Sequence, residues 1–146
     1  LRLFNVYGPG QNMLNLRQGM VSIFLAQMIE SSHIHIKGSK SRFRDFVYID
    51  DVVESFILCL TRQETWGENI NIAAGKKTTV GELIGIMSAK YNKDVTMNFS
   101  GSTKGDIHGI WACTKKMKDM LGIEDVTKLE DGLNKMLSWA SKTKRN

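Results

Sequence analysis

The stretch 42–53, Arg-Phe-Arg-Asp-Phe-Val-Tyr-Ile-Asp-Asp-Val-Val, most limits what this chain can fold into. A basic segment runs into a β-prone run at 46–49 and then directly into a helix pattern. Asp51 is placed to act as an N-cap, with Glu54 three residues on completing a capping-box-like arrangement. Val52, Val53, Phe56, Ile57 and Leu60 recur at helical spacing, which predicts that they face a core. Arg44 is thereby predicted on a loop anchored by a strand and a helix. A planar guanidinium held in that way suits phosphate oxygens gripped two at a time. An exposed arginine in a surface turn would give the same local sequence.

A chain of 146 residues suffices for one domain with a core. Its 42% hydrophobic and 24% charged residues are ordinary for a soluble globular protein. No apolar run is long enough to span a membrane, and no secretory signal is visible. Residues 1–6 read as the inside of a strand, so the chain is expected to be a piece of a longer protein. Cys59 and Cys113 lie far apart and, with His33, His35 and His108, make no metal-ligand spacing. Cys59 is expected as a buried thiol. Two thiols without a disulfide framework point to a reducing, cytoplasmic setting.

The net charge of +5 leaves nucleic acid, membrane surfaces and anionic small molecules open as partners. The basic residues concentrate at 37–44, 115–118 and 142–145. They lack the interleaved aromatics that stack bases, which argues against nucleic acid.

Along the chain, 1–6 reads as a strand apolar on both faces, as in a buried parallel sheet. The Gly-Pro-Gly at 8–10 ends it. Residues 17–30 fit a helix with Met20, Ile23, Phe24 and Met28 inward. Short strands are predicted at 34–36, 69–73 and 95–99. Thr79 and Glu82 form a capping box for a helix with Val80, Leu83, Ile84 and Met87 inside. Thr114 is expected to cap a short helix ending at Gly122. Thr127 and Glu130 are read as a second capping box, opening a helix lined by Leu129, Leu133, Met136, Leu137 and Ala140. This is an α/β chain with a few short strands and about five helices.

Several chemical signatures are absent. There is no G-x-G-x-x-G after a strand, no P-loop, no G-x-S-x-G, and no tyrosine followed four residues later by lysine. What remain are candidate ligand contacts. Asn5 is a polar residue near the carboxyl end of an apolar strand, where ligands of open α/β sheets collect; satisfying a nearby turn is the other reading. Asp106, in a glycine-flanked loop, could accept bonds from sugar hydroxyls or simply form a turn.

The opening Leu-Arg-Leu-Phe-Asn-Val-Tyr-Gly-Pro-Gly-Gln resembles the L-R-x-x-N-V-Y-G-P-G-Q segment of NAD-dependent nucleotide-sugar epimerases and dehydratases. These are extended short-chain dehydrogenase/reductase proteins. The resemblance continues in order. Residues 44–53 resemble R-D-F-V-Y-V-D-D-V-V, and 69–75 resemble Y-N-I-G-S-G. Residues 79–83 resemble T-V-x-E-L, 105–107 resemble G-D-I, and 129–133 with Trp139 resemble L-E-E-G-L and its tryptophan. Nearly the whole chain is covered. Thr103 stands where the family often has arginine, with Lys104 beside it. Leu3 stands where many epimerases have tyrosine, and Cys113 where aspartate is common.

The resemblance implies a substrate-binding domain over 1–146 that includes a terminal strand of the cofactor domain at 1–7. It implies that the N-terminal Rossmann part, with the glycine fingerprint and the catalytic Tyr and Lys, is missing. It implies nucleotide-sugar contacts from Asn5, Gly19, Met20, His35, Lys37, Arg44, Thr103, Lys104 and Asp106. Arg44 would pair with the pyrophosphate and Asp106 with the ribose. Leu3 and Phe4 would border the cofactor. The implied parent is an NAD-dependent nucleotide-sugar epimerase of the UDP-glucose 4-epimerase type, or a dehydratase or reductase of the same family. This chain alone is expected to be without turnover and without bound NAD. A stand-alone module for nucleotide sugars or polyanions is the alternative. The missing half and a second copy of the chain are the expected protein partners, because an unpaired apolar strand invites association.

Overall fold

The computed structural model describes residues 1–146 except 16, 18, 92, 93, 102–106 and 144–146. Among the described residues five α-helices alternate with short strands. The strands are β1 (Arg2–Leu3), β2 (Asn5–Tyr7), β3 (His33–Lys37), β4 (Phe43–Arg44), β5 (Phe46–Tyr48), β6 (Asn71–Ile72), β7 (Thr78–Thr79) and β8 (Thr96–Ser100). The helices are α1 (Met20–Ser31), α2 (Ile49–Thr61), α3 (Val80–Tyr91), α4 (Lys115–Leu121) and α5 (Leu129–Thr143).

The pairs β1–β6, β2–β5 and β3–β8 are parallel, and β4–β7 is antiparallel. The predicted strand at 1–6 is therefore two strands that break at Phe4 and pair with different partners. The parallel character expected from its apolar residues holds. Its burial does not: Leu1 and Leu3 are exposed, at 39% and 44%. A parallel strand hides its apolar residues only when both faces and both edges are covered.

Two apolar clusters hold the chain together. The larger packs α1, α3 and α5 around β3 and β5, with Met28, Ile34, Leu83, Ile84, Met87 and Met136 buried almost completely. The inward stripe expected for α3 is there in full, and truncating any of its large members would cost about 2–5 kcal/mol. The second cluster joins Val47, Val52, Ile70, Ile72, Met117 and Leu121.

The predicted capping box at Thr79 forms. Glu82 Oε2 accepts the Thr79 amide at 2.7 Å, and the Thr79 hydroxyl accepts the Glu82 amide at 3.1 Å. Gly122 closes α4 in the left-handed region at φ 66°, as its glycine predicted.

Four expectations are corrected. Asp51 is not an N-cap: α2 begins at Ile49, with Tyr48 in the capping position. Asp50 and Asp51 lie in its first turn, where the helix dipole favours negative charge. Thr127 does not cap α5. That helix opens on the Lys128 carbonyl, which accepts the amides of Asp131 and Gly132, while the Thr127 hydroxyl bonds to Asp51. Arg44 is not on a loop but in β4, paired with Thr78.

The fourth correction is the largest. Of the stripe predicted to face a core along α2, only Val52 is buried. Val53, Phe56, Ile57 and Leu60 are 49%, 49%, 58% and 78% exposed. The helix is apolar on two sides. Val52 and Ser55 take the side toward β2, β5 and α4, and the larger residues face out. Periodicity shows that a stripe exists; it does not show which stripe meets the neighbours.

Candidate functional site

The centre of the site region is a carboxylate that the sequence argument left without a role. Asp45 sits between β4 and β5 with no exposed surface. Its Oδ1 accepts the Ala74 amide at 2.8 Å, and its Oδ2 accepts the Gly75 and Ala112 amides, each at 3.0 Å. Gly75 takes φ 70° to make that turn. Burial pushes the Asp45 carboxyl above its ordinary range, and the backbone N–H groups pull back against that shift. One side chain thus ties three separate segments together. The signal was present: an aspartate directly before an apolar strand is either exposed or fully bonded, because unpaired buried carboxylates are costly.

Asn5 and Arg44 flank this anchor. Asn5 lies opposite Phe46 in the β2–β5 register. Its amide N–H and its Nδ2 both donate to the Asp45 carbonyl, at 3.0 and 3.1 Å. Asn5 thus opens β2, and its side chain is held by a carbonyl between β4 and β5, 40 residues away in sequence, and not by a nearby turn. Arg44 is half-buried, and its Nη1 donates to the Phe43 carbonyl at 2.8 Å and to the His108 carbonyl at 3.5 Å. Burial, and secondarily the charge of Arg42, lowers the Arg44 pKa from its ordinary value. The guanidinium is therefore fixed to the segment two residues beyond Asp106. Asp106, Thr103 and Lys104 themselves lie outside the described residues.

The other predicted contacts are on separate elements. Gly19, with φ 87°, precedes α1, and Met20 opens it; the Gly19 carbonyl accepts the Ser22 hydroxyl at 2.9 Å. His35 is on the open face of β3. Its amide donates to Gln27 Oε1 at 2.8 Å, and its Nε2 meets the Ser100 hydroxyl at 2.9 Å. The Lys37 carbonyl accepts a bond from Arg42. A cavity of about 380 Å³ lies over His33, His35 and Asn98. A larger one, about 590 Å³, opens beside Gly75, Lys76, Thr78, Lys118 and Thr127. None of the described residues predicted to bind substrate lines the larger cavity. It carries lysines and acids together, a mixed lining that selects no single charge.

An aromatic group went unnoticed in the sequence. Phe43 meets Trp111 at a ring separation of 6.2 Å and His108 at 5.8 Å. Lys77 Nζ lies 3.7 Å from the Trp111 ring centroid, a cation–π contact. Successive strand residues point to opposite faces, so this group supports β4 from the side away from Arg44.

Leu3 and Phe4 offer only an apolar strand edge. The sequence carries no glycine fingerprint. Among the described residues no cluster of His, Cys, Asp or Glu could hold a metal ion, and no helix is long and apolar enough to cross a membrane.

Residues 1–73 match the model of a family described as NAD dependent epimerase/dehydratase. The dTDP-4-dehydro-6-deoxyglucose reductase of Escherichia coli is 32% identical over 137 residues, covering 94% of this chain and 43% of the relative. The solved UDP-glucose 4-epimerase of Thermotoga maritima, with UDP-glucose, is 33% identical with a TM-score of 0.88, over 97% of this chain and 45% of that one. The UDP-glucuronic acid 4-epimerase of Bacillus cereus, with UDP-glucuronic acid and NAD, is 28% identical with a TM-score of 0.87, over 97% of this chain and 44% of that one. The chain spans less than half the length of these relatives.

Proposed function

Because this chain belongs to the NAD dependent epimerase/dehydratase family, we propose that it is the nucleotide-sugar-binding half of an NAD-dependent epimerase acting on a sugar nucleotide. The observation that carries this reading is the placement of Asn5 and Arg44 on either side of the buried Asp45 anchor. An arginine fixed by two backbone carbonyls loses little freedom when it meets a diphosphate, so its charge-assisted bonds cost little ordering. Asn5 fixes the end of β2 against the same anchor. The role of this half is positioning: it holds the diphosphate so that the sugar lies against groups supplied by the rest of the longer protein. NAD supplies hydride transfer in such an enzyme and is held outside this chain.

Calorimetry with UDP-glucose, a dTDP-sugar and a short DNA duplex tests the reading. Sugar-nucleotide binding is expected, weakened about 10- to 100-fold by Arg44→Ala, the loss of roughly 1.5–3 kcal/mol that a charged hydrogen bond supplies. Arg44→Lys should restore little, since a point charge does not replace a fork. Binding of DNA alone, falling steeply with salt, would sink the proposal.

A further inference from the structure

Strand β8 presents an edge that the described residues leave open. Among them it pairs with β3 alone, and all of its residues are exposed. The ends of that pairing fix its phase. The Thr96 amide donates to the Ser32 carbonyl at 3.1 Å, and the Ser100 carbonyl accepts the Gly38 amide at 3.2 Å. Backbone groups alternate in direction along a strand, so Thr96, Asn98 and Ser100 turn theirs toward β3. The N–H and C=O groups of Met97 and Phe99 therefore point outward. Side chains alternate as well. Met97 and Phe99 stand beside Ile34 and Ile36 in the register. The isoleucines are buried, but Met97 and Phe99 overhang the core at 49% and 38% exposure. On the other face His33 and His35 bond to the Thr96 and Ser100 hydroxyls, which holds β8 to β3 in one register. Edge strands usually carry a lysine, a proline or a bulge that prevents pairing with another chain. The run Thr-Met-Asn-Phe-Ser has no charge and no proline, and its register with β3 is unbroken.

We propose that β8 is a dimerisation edge, occupied by β8 of a second copy of this chain running antiparallel to it. The strand selects this occupant because it is self-complementary about its middle residue. A two-fold axis perpendicular to the sheet at Asn98 sets Met97 against the partner's Phe99 and Thr96 against the partner's Ser100. Met97 and the partner's Phe99 then exchange both backbone hydrogen bonds, so every outward-pointing group of Met97 and Phe99 is satisfied. Asn98 meets its own copy at a non-hydrogen-bonded position, where opposed side chains are closest. A shift of one residue would set outward groups against groups already bonded to β3. On the inner face the contacts of Met97 with Phe99 extend the layer of Ile34 and Ile36 across the axis. On the outer face only hydroxyls and the paired Asn98 amides meet along the shared edge, so no like charges oppose each other. The result is one continuous sheet of β3, β8 and their copies, with the His35 faces of both copies on the same side. This places the association expected for the chain at β8 rather than at residues 1–6, and it does not depend on the functional reading above.

Cross-linking and sedimentation test the proposal on the 146-residue chain. With Cys59→Ala and Cys113→Ser in the background, Asn98→Cys should give a disulfide-linked dimer under mild oxidation, because opposed non-hydrogen-bonded positions lie within disulfide range. Phe99→Cys in the same background should not, since residue 99 faces residue 97 of the other copy. Sedimentation of the parent chain should show a concentration-dependent dimer. Met97→Pro removes an outward N–H and leaves the ladder to β3 whole. It should weaken association about tenfold or more, because each copy loses a hydrogen bond across the axis. Phe99→Lys, which puts a charge on the edge, should act in the same direction. Unchanged far-ultraviolet circular dichroism shows that these variants fold, and the Asn98→Cys cross-link decides alone if they do not. A parent chain that stays monomeric overturns the proposal. So does a dimer that Met97→Pro and Phe99→Lys leave intact, or cross-linking through Phe99→Cys in place of Asn98→Cys, because the copies then meet on another face or in another register.

Discussion

Asp51 clasps Thr127 with both carboxylate oxygens: Oδ2 accepts the Thr127 amide at 3.0 Å and Oδ1 accepts its hydroxyl at 2.9 Å. The clasp joins the first turn of α2 to the segment that leads into α5, across 76 residues of sequence. Charged hydrogen bonds of this type contribute about 1.5–3 kcal/mol. Asp51→Ala should lower the urea midpoint accordingly, and Thr127→Val by less, since the amide bond survives. A double-mutant cycle should return a coupling of about 1 kcal/mol or more. Additive effects would show that the clasp is without energetic consequence.

Asp45→Ala should be the most damaging single change in the chain. It strands the amides of Ala74, Gly75 and Ala112, all of which point at a buried carboxylate. Each orphaned donor costs about 1–3 kcal/mol, against a total stability of about 5–15 kcal/mol for a domain. Asp45→Asn should fall between, because one oxygen becomes a donor facing donors. Denaturant midpoints with unchanged slopes would measure both.

Gly132 breaks the usual rule for helix interiors. Replacing a helical glycine by alanine ordinarily stabilises by about 1 kcal/mol. Here a Cβ would stand 2.8 Å from Tyr48 Cδ2 and collide with the Tyr7 hydroxyl. That hydroxyl is donated to the Leu129 carbonyl at 3.3 Å, so it cannot retreat freely. Gly132→Ala should therefore destabilise by roughly 1–3 kcal/mol. Adding Tyr7→Phe should return part of the loss, and thermal melts of the three variants would show whether it does.

The Thr79–Glu82 box makes stability depend on pH in a known direction. The Thr79 amide and hydroxyl hold the Glu82 carboxyl below its ordinary value. A carboxylate lowered in the folded state adds stability that is present in full above its unfolded pKa and is lost as pH falls through the folded value. Glu82→Gln should thus be slightly less stable than the parent at neutral pH. The gap should close on acidification to about pH 3. Urea midpoints at the two pH values decide the point, and a gap that persists in acid would assign the loss to something other than the charge.

Much of this arrangement was legible in the residues. The α3 stripe and its box, the glycine stop after α4 and the parallel character of the first strands all come from local rules: side-chain period, cap chemistry and the freedom of glycine. Ordered motifs from Asn5 to Trp139 carried the family. The failures share another cause. Asp51 and Thr127 each look like a helix cap because each is a short polar residue before an apolar run; their bond to one another exists only when α2 and the approach to α5 are adjacent. Asp45 could be read as a link in a motif but not as an anchor, since its three amide donors come from distant segments.

The α2 stripe marks the boundary most plainly. The recurrence of apolar residues at helical spacing determined by itself that the stretch after Asp51 forms a helix with much to bury. Only the packing of β2, β5 and α4 against one side decided that Val52 lies inside and Phe56 outside. A helix turns through every direction in 3.6 residues, so a sequence can specify which side chains share a face, but the direction of that face belongs to the neighbours that close on it.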